Sequence, residues 1–232
     1  MNTELLYRPS FAVARVELEA GEEVRSEAGA MLSKSANVQI QTSATGGLLK
    51  SLKRGVLGGE SFFMNTFRSE GGPGEVLFAP SLPGDVVTVE IGGATSGSSL
   101  LVNSGSFVAA ELGVNVDTKF RGGRGFFATS SFFMLLLSGQ GQAILSAYGA
   151  LHPVTLGAGE RYTVDSGHVI AFDESMPHEV RRVGGLKSTL FSGEGFVIEI
   201  EGPGNLLLQT RSQQAFLSWL IPNLPSSRSN ND

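Results

Sequence analysis

The sequence predicts an all-β fold, and three observations carry that prediction. Strand-length apolar runs recur in one order: GESFFMNTF from Gly59, TSSFFMLLL from Thr129 and GEGFVIEI from Gly193 are followed by GPGEVLF (72–78), GQGQAIL (139–145) and GPGNLLL (202–208). Short apolar or alternating runs parted by glycine turns are the signature of antiparallel hairpins. The chain holds 31 glycines with no G-X-Y period, which points to many tight turns rather than to collagen or a helical bundle. Finally, three segments align without gaps over a glycine pair: GEEVRSEAG (21–29), GSSLLVNSG (97–105) and GERYTVDSG (159–167), at offsets of 76 and 62.

Each aligned copy continues alike, with an apolar residue nine positions after the second glycine (Val38, Val114, Met176). Two elements in the same order in every copy make an internal repeat, and the copies cover about 11–80, 81–149 and 150–211. Units of this size bury little surface alone, so three repeats pack as a single all-β domain over 1–212, leaving 213–232 as a terminal helix and tail.

Two stretches break the strand pattern. Gly46–Gly59 sets Leu48, Leu49, Leu52 and Val56 at helical spacing between glycines, which predicts a short helix near 47–57. Gln214–Pro225 predicts a second helix near 213–221, stopped by Pro222 and followed by a disordered SSRSNND tail.

Composition narrows the function classes. The 232-residue chain contains no cysteine, which excludes a disulfide framework and thiolate-bound zinc and fits a reducing compartment. The N-terminal stretch MNTELLYRPSFAVARVEL is broken by charges and a proline, unlike a signal or transit peptide, and the apolar run FFMLLL (132–137) is too short to span a bilayer. A soluble, cytoplasmic protein is expected. The net charge of −5 argues against a chain built mainly to neutralise phosphate.

The stretch VDSGHVIAFDESMPHEVRRV (164–183) holds two of the three histidines, His168 and His178, among Asp165, Asp173 and Glu174. Histidines with carboxylates bind divalent metals, and a glycine turn, a strand and a Pro-His pair resemble half of a cupin metal motif. Against a metal site, no His-x-His partner exists, since the third histidine is His152 in ALHPV. The pair also lacks the spacing of a helical site. The sister copies carry Ala30 and Ser106 where the third has His168, and Ile40 and Val116 where it has His178. A Ser166–His168 hydrolase is disfavoured too, because neighbours two apart on a turn do not place an imidazole on a serine oxygen, and no G-x-S-x-G elbow is present. GGPGE, GGRGFF and GQGQ lack a Walker lysine and read as turns. No cofactor, metal or catalytic residue is assigned.

The basic residues are polarised by repeat position. Lys50, Lys53 and Arg54 lie in one window, Lys119, Arg121 and Arg124 in the next, and Arg181, Arg182 and Lys187 in the third, each just before the second apolar element. These windows hold nine of the 17 basic residues and no acid. Three such loops make a candidate anion-binding surface for phosphate, an anionic lipid surface or nucleic acid.

Several stretches resemble the "altered inheritance of mitochondria" (mitochondrial biogenesis) family: LGGESFFMNTF (57–67), VDTKFRGG (116–123), LSAYGAL (145–151) and VDSGHVIAFDESMPHEVRRVGGLKSTLFSGEGFVIEIEGPGNLLLQTR (164–211). The resemblance runs from about residue 11 to 211. It implies a double-stranded β-helix or β-sandwich similar to the tryptophan RNA-binding attenuation protein, assembled as a homotrimer. Bacterial members have unknown function, mitochondrial ones are associated with inner-membrane organisation, and the family brings no catalytic residues. The expected function is a non-enzymatic oligomeric scaffold or binding protein. The alternatives are an RNA- or DNA-binding protein, a peripheral membrane-surface module using GLLKSLKRGVLGG, and, less favoured, a cupin-like metalloenzyme.

Overall fold

A computed structural model describes residues 1–42, 64–93, 99–118, 134–182 and 196–224. Its strands form an opening strand, β1 (Asn2–Leu6), and then three sets of six. The first set is β2 (Val13–Leu18), β3 (Glu23–Glu27), β4 (Met31–Lys34), β5 (Val38–Thr42), β6 (Met64–Ser69) and β7 (Gly74–Phe78). The second is β8 (Val86–Ile91), β9 (Leu100–Asn103), β10 (Phe107–Glu111), β11 (Val114–Thr118), β12 (Met134–Gly139) and β13 (Gly141–Ser146). The third is β14 (Leu151–Leu156), β15 (Arg161–Asp165), β16 (Val169–Asp173), β17 (His178–Arg182), β18 (Phe196–Glu201) and β19 (Gly204–Gln209). All-β architecture is therefore what the residues build.

Pairing follows one rule in every set. The first, sixth and third strands share one sheet in that order, and the second, fifth and fourth share another, all antiparallel. This nested order winds each set as a short two-sheet roll rather than as hairpins across its glycine turns. The hairpin expectation is corrected here: β12 and β13 are parted only by Gln140, yet they lie in different sheets. Gly139 (φ 95°) and Gly141 (φ 138°) make that turn a corner between layers, a backbone path that side-chain-bearing residues rarely take.

Strand alternation supplies the core. In β2, Ala14, Val16 and Leu18 face inward at period two, with Arg15 and Glu17 between them. The apolar residue after each glycine pair has a fixed neighbour. A Cβ at Gly74 would meet the Val38 side chain at 2.7 Å, one at Gly141 the Val114 side chain at 3.4 Å, and one at Gly204 the Met176 sulfur at 2.6 Å. The third strand of each set also carries a bulge at the same place, between Met31 and Ser33, Phe107 and Ala109, and Val169 and Ala171.

Neighbouring sets are joined edge to edge. β3 pairs with β10 and β9 with β16, giving six-stranded sheets β5-β6-β3-β10-β13-β8 and β11-β12-β9-β16-β19-β14. β1 covers the outer edge of β2 in a four-stranded sheet, a strand with no counterpart in the sequence prediction. Three buried clusters result, each centred on one set. β10 and β16 are buried on both faces because each stands between two clusters: Val108 and Ala109 enter the first, Phe107 and Ala110 the second.

Helix α1 (Gln213–Asn223) begins at Ser212, whose hydroxyl accepts from the Ala215 N–H at 3.4 Å. It runs one residue past Pro222 instead of stopping before it, because a proline in the final turn still accepts the helical φ and forfeits a single hydrogen bond. The helix expected near 47–57 and the tail from 225 lie outside the described residues.

Candidate functional site

The histidine-bearing stretch is organised around Gln209 at the end of β19. Its side chain accepts from the Tyr148 N–H at 2.8 Å and donates to the Gly167 carbonyl at 2.9 Å. Its own carbonyl lies 2.8 Å from His168 Nδ1; a carbonyl only accepts, so that nitrogen carries the proton. Asp165 accepts from the Gly167 N–H at 2.7 Å and opens a single 3₁₀ turn over Ser166–His168. Asn103 does the same for Gly105 at 3.1 Å, opening the turn Ser104–Ser106 of the second set. His168 thus stands on a turn that the fold builds with or without imidazole.

His178 sits at the start of β17, opposite Ile200. Its Nδ1 donates to the Met176 carbonyl at 3.0 Å, and its ring meets the edge of Phe172 with centroids 4.9 Å apart. Asp173 is buried and accepts from the Asn205 N–H at 2.8 Å, where Glu111 and Ser35 accept from Gln142 and Glu75 in the sister sets. Asp165, His168, Asp173 and His178 are therefore each engaged by backbone. Among the described residues no three of His, Asp and Glu gather as a metal site.

Of the predicted basic residues, Arg181 lies on β17 with its side chain exposed, pairing with Glu179 at 2.7 Å and Glu199 at 3.0 Å. The Glu179 hydrogen bond is the main reason its pKa rises, and the same bond lowers that of Glu179. Arg182 closes β17, opposite Phe196. Lys50, Lys53, Arg54, Lys119, Arg121, Arg124 and Lys187 lie outside the described residues. Their chain position is nonetheless defined: every basic window falls in or at the connection from the fourth to the fifth strand of its set, β5 to β6, β11 to β12 and β17 to β18.

Three exposed apolar features escape the sequence reading. Met31 and Leu32 on β4 are exposed although sister positions are buried, and Tyr162 on β15 is exposed where Val24 is buried and Leu100 half-buried; only a repeat-by-repeat comparison of burial reveals them. Helix α1 buries none of its residues, leaving Leu217, Trp219 and Ile221 in solvent, with Phe216 edge-on to Tyr148 at 6.3 Å. Among the described residues no helix is long and apolar enough to cross a membrane.

Comparison with known proteins places these features in a family context. An uncharacterized protein of Streptococcus pyogenes is 26% identical over 230 residues, covering 94% of this chain and 88% of its own. The crystal structure of a Streptococcus pyogenes protein matches with a TM-score of 0.80 at 24% identity, over 96% of this chain and 99% of that one, a likeness of fold alone. The family model for mitochondrial biogenesis AIM24 matches residues 3–211, every strand set included, and the chain belongs to that family.

Proposed function

We infer that this protein is a non-enzymatic, cytoplasmic scaffold that assembles with itself as a homotrimer and binds an anionic partner through three set-equivalent basic loops. The observation that carries the reading is the shared position of those loops: nine lysines and arginines fall in or beside the one connection that each set makes between its fourth and fifth strands. His168, His178 and Asp173 support a non-enzymatic role, since each is tied to backbone. Retention on an immobilised polyanion tests the reading. The wild type is retained at low salt and released as salt rises, and the triple variant Lys50→Glu, Lys53→Glu, Arg54→Glu elutes earlier. No retention at low salt, or equal retention of the variant, overturns anion binding.

A membrane-surface role has one observation in its favour, the uncharged helix α1 with Leu217, Trp219 and Ile221 exposed. Flotation with anionic and neutral vesicles separates it from the first reading: binding to both kinds favours the helix, and binding to anionic vesicles alone favours the basic loops.

A further inference from the structure

One end of the molecule gathers the same parts from every set. The turn after the second strand touches the end of the sixth: the Ala79 N–H donates to the Ala30 carbonyl at 2.8 Å, the Ser146 hydroxyl to the Ser106 carbonyl at 3.5 Å, and His168 Nδ1 to the Gln209 carbonyl at 2.8 Å. The linkers between sets then meet one another there. The Ala12 N–H donates to the Gly84 carbonyl at 2.9 Å, the Asp85 N–H to the Gly149 carbonyl at 3.0 Å, and the Arg211 N–H to the Tyr148 carbonyl at 3.2 Å. This end therefore holds the entrance to all three sets and the root of helix α1.

Large apolar side chains stand in solvent around that crossing. Tyr7 is 74% exposed and Phe11 72%, on the bend that leads from β1 into β2. Phe216 is edge-on to Tyr148, with the Trp219 ring 6.2 Å beyond it and 64% of Trp219 exposed. No charged side chain occurs from Ser212 to Ser227, so the helix brings no unpaired charge to an apolar boundary. The basic connections leave from the same end. Strand register sets Thr42 opposite Asn65 and Glu27 opposite Met64 beside the first turn, Thr118 opposite Leu135 and Asn103 opposite Met134 beside the second, and Arg182 opposite Phe196 and Asp165 opposite Val197 beside the third. Each connection from a fourth to a fifth strand thus departs from, and returns to, the end that carries helix α1.

We propose that this end docks on a phospholipid bilayer of net negative charge, with helix α1 and the Tyr7–Phe11 bend seated among the headgroups. A basic patch alone takes any polyanion, and an uncharged apolar helix alone takes any bilayer. The two on one end select a surface that offers both, and stable attachment needs two such signals because one is marginal. Indole and phenol rings, apolar in body and polar at one edge, settle at the headgroup level. The family match stops at residue 211 and helix α1 begins at Gln213, so the helix belongs to this chain's own surface. This inference rests on the anion-binding scaffold proposed above and names its partner.

The test uses the full chain with vesicles of phosphatidylcholine, with or without phosphatidylglycerol. The wild type floats with the anionic vesicles more strongly than with the neutral ones. Trp219 is the chain's only tryptophan, so its emission reports the helix directly. That emission shifts to the blue on anionic vesicles and is quenched by lipids brominated on their acyl chains. Phe11→Glu and Ile221→Glu, both at exposed positions, each weaken vesicle binding by about tenfold or more. Leu112→Glu, 45% exposed on the turn from β10 to β11 at the opposite end, leaves binding unchanged. Circular dichroism and melting check that the variants fold. No binding to anionic vesicles, with retention on a soluble polyanion intact, overturns the inference and leaves the anion-binding reading standing; loss of both overturns both. Equal binding to the two kinds of vesicle, an unshifted Trp219 emission, or an equal loss in Leu112→Glu and Ile221→Glu overturns the docking end. An oligomer that dissociates in Ile221→Glu while vesicle binding holds assigns the helix to a contact between copies and overturns it as well.

Discussion

Arg8 grips Asp85 through two parallel hydrogen bonds, Nε to Oδ1 at 2.7 Å and Nη2 to Oδ2 at 2.9 Å. Asp85 is buried at the entrance to the second set and also accepts from the Val86 N–H at 2.8 Å, so the fork ties the segment after β1 to the junction between sets. The Arg8 hydrogen bond holds the Asp85 carboxyl below its ordinary value of 3.8, outweighing burial. Arg8→Ala is expected to lower stability by about 1–3 kcal/mol at neutral pH, measured by urea unfolding. A depressed folded pKa gives stability that is present above the unfolded value and lost as pH falls through the folded one, so the gap between wild type and variant closes on acidification.

Glu27 has the opposite sign. Burial pushes its carboxyl up to about 7 from an ordinary 4.5, so between those values the folded chain keeps a proton that the unfolded chain has released. Stability therefore falls as pH rises across that window. Glu27→Gln is expected to raise stability by on the order of 1 kcal/mol above pH 7, discounted for partial exposure, and to change little below pH 4.5. Thermal melts on either side of the window check this, and an equal gain on both sides contradicts it.

Gln209 matters more than the histidine beside it. Gln209→Ala leaves the Tyr148 N–H and the Gly167 carbonyl without their partner, at about 1–3 kcal/mol for each group left unsatisfied. His168→Ala removes one hydrogen bond at a place held by Ala30 in the first set and is expected to cost about 1 kcal/mol or less. Chemical unfolding of both variants gives the ranking, and the reverse order would return the imidazole to a central role.

Gly84 stands where the linkers between sets cross. A Cβ there would overlap the Ala147 carbonyl oxygen and lie 2.6 Å from the Gly149 nitrogen, both backbone atoms. Gly84→Ala is expected to destabilise by about 3 kcal/mol or more, whereas Gly72→Ala, with open space around it, serves as a near-neutral control. Melting temperatures of the two variants test the contrast.

The spacing that marks Val38, Val114 and Met176 is legible in the chain because each must sit against a glycine, and such a constraint leaves a local trace. Helix α1 is legible for a similar reason, its break from the strand pattern and the nearby Pro222 being local signals, although the helix runs one residue past that proline. Strand partners are not. Gly139–Gln140–Gly141 reads the same whether β12 and β13 pair with each other or part into separate sheets, since the choice depends on residues far along the chain. β1 is hidden because NTELL mixes charge with leucine, and its place is fixed by the free edge of β2 rather than by its own pattern. At the candidate site, the exposure of Leu32 and Tyr162 is invisible in residue type, because leucine and tyrosine serve equally as interior residues.

Strands β10 and β16 act as party walls, each facing one core with Val108 or Ile170 and the adjoining core with Phe107 or Val169. A wall of that kind cannot be withdrawn from one room alone. Damage such as Ala110→Asp should therefore travel in both directions and melt the chain in a single transition, and excising one set would leave its neighbours open to water instead of yielding a smaller folded protein.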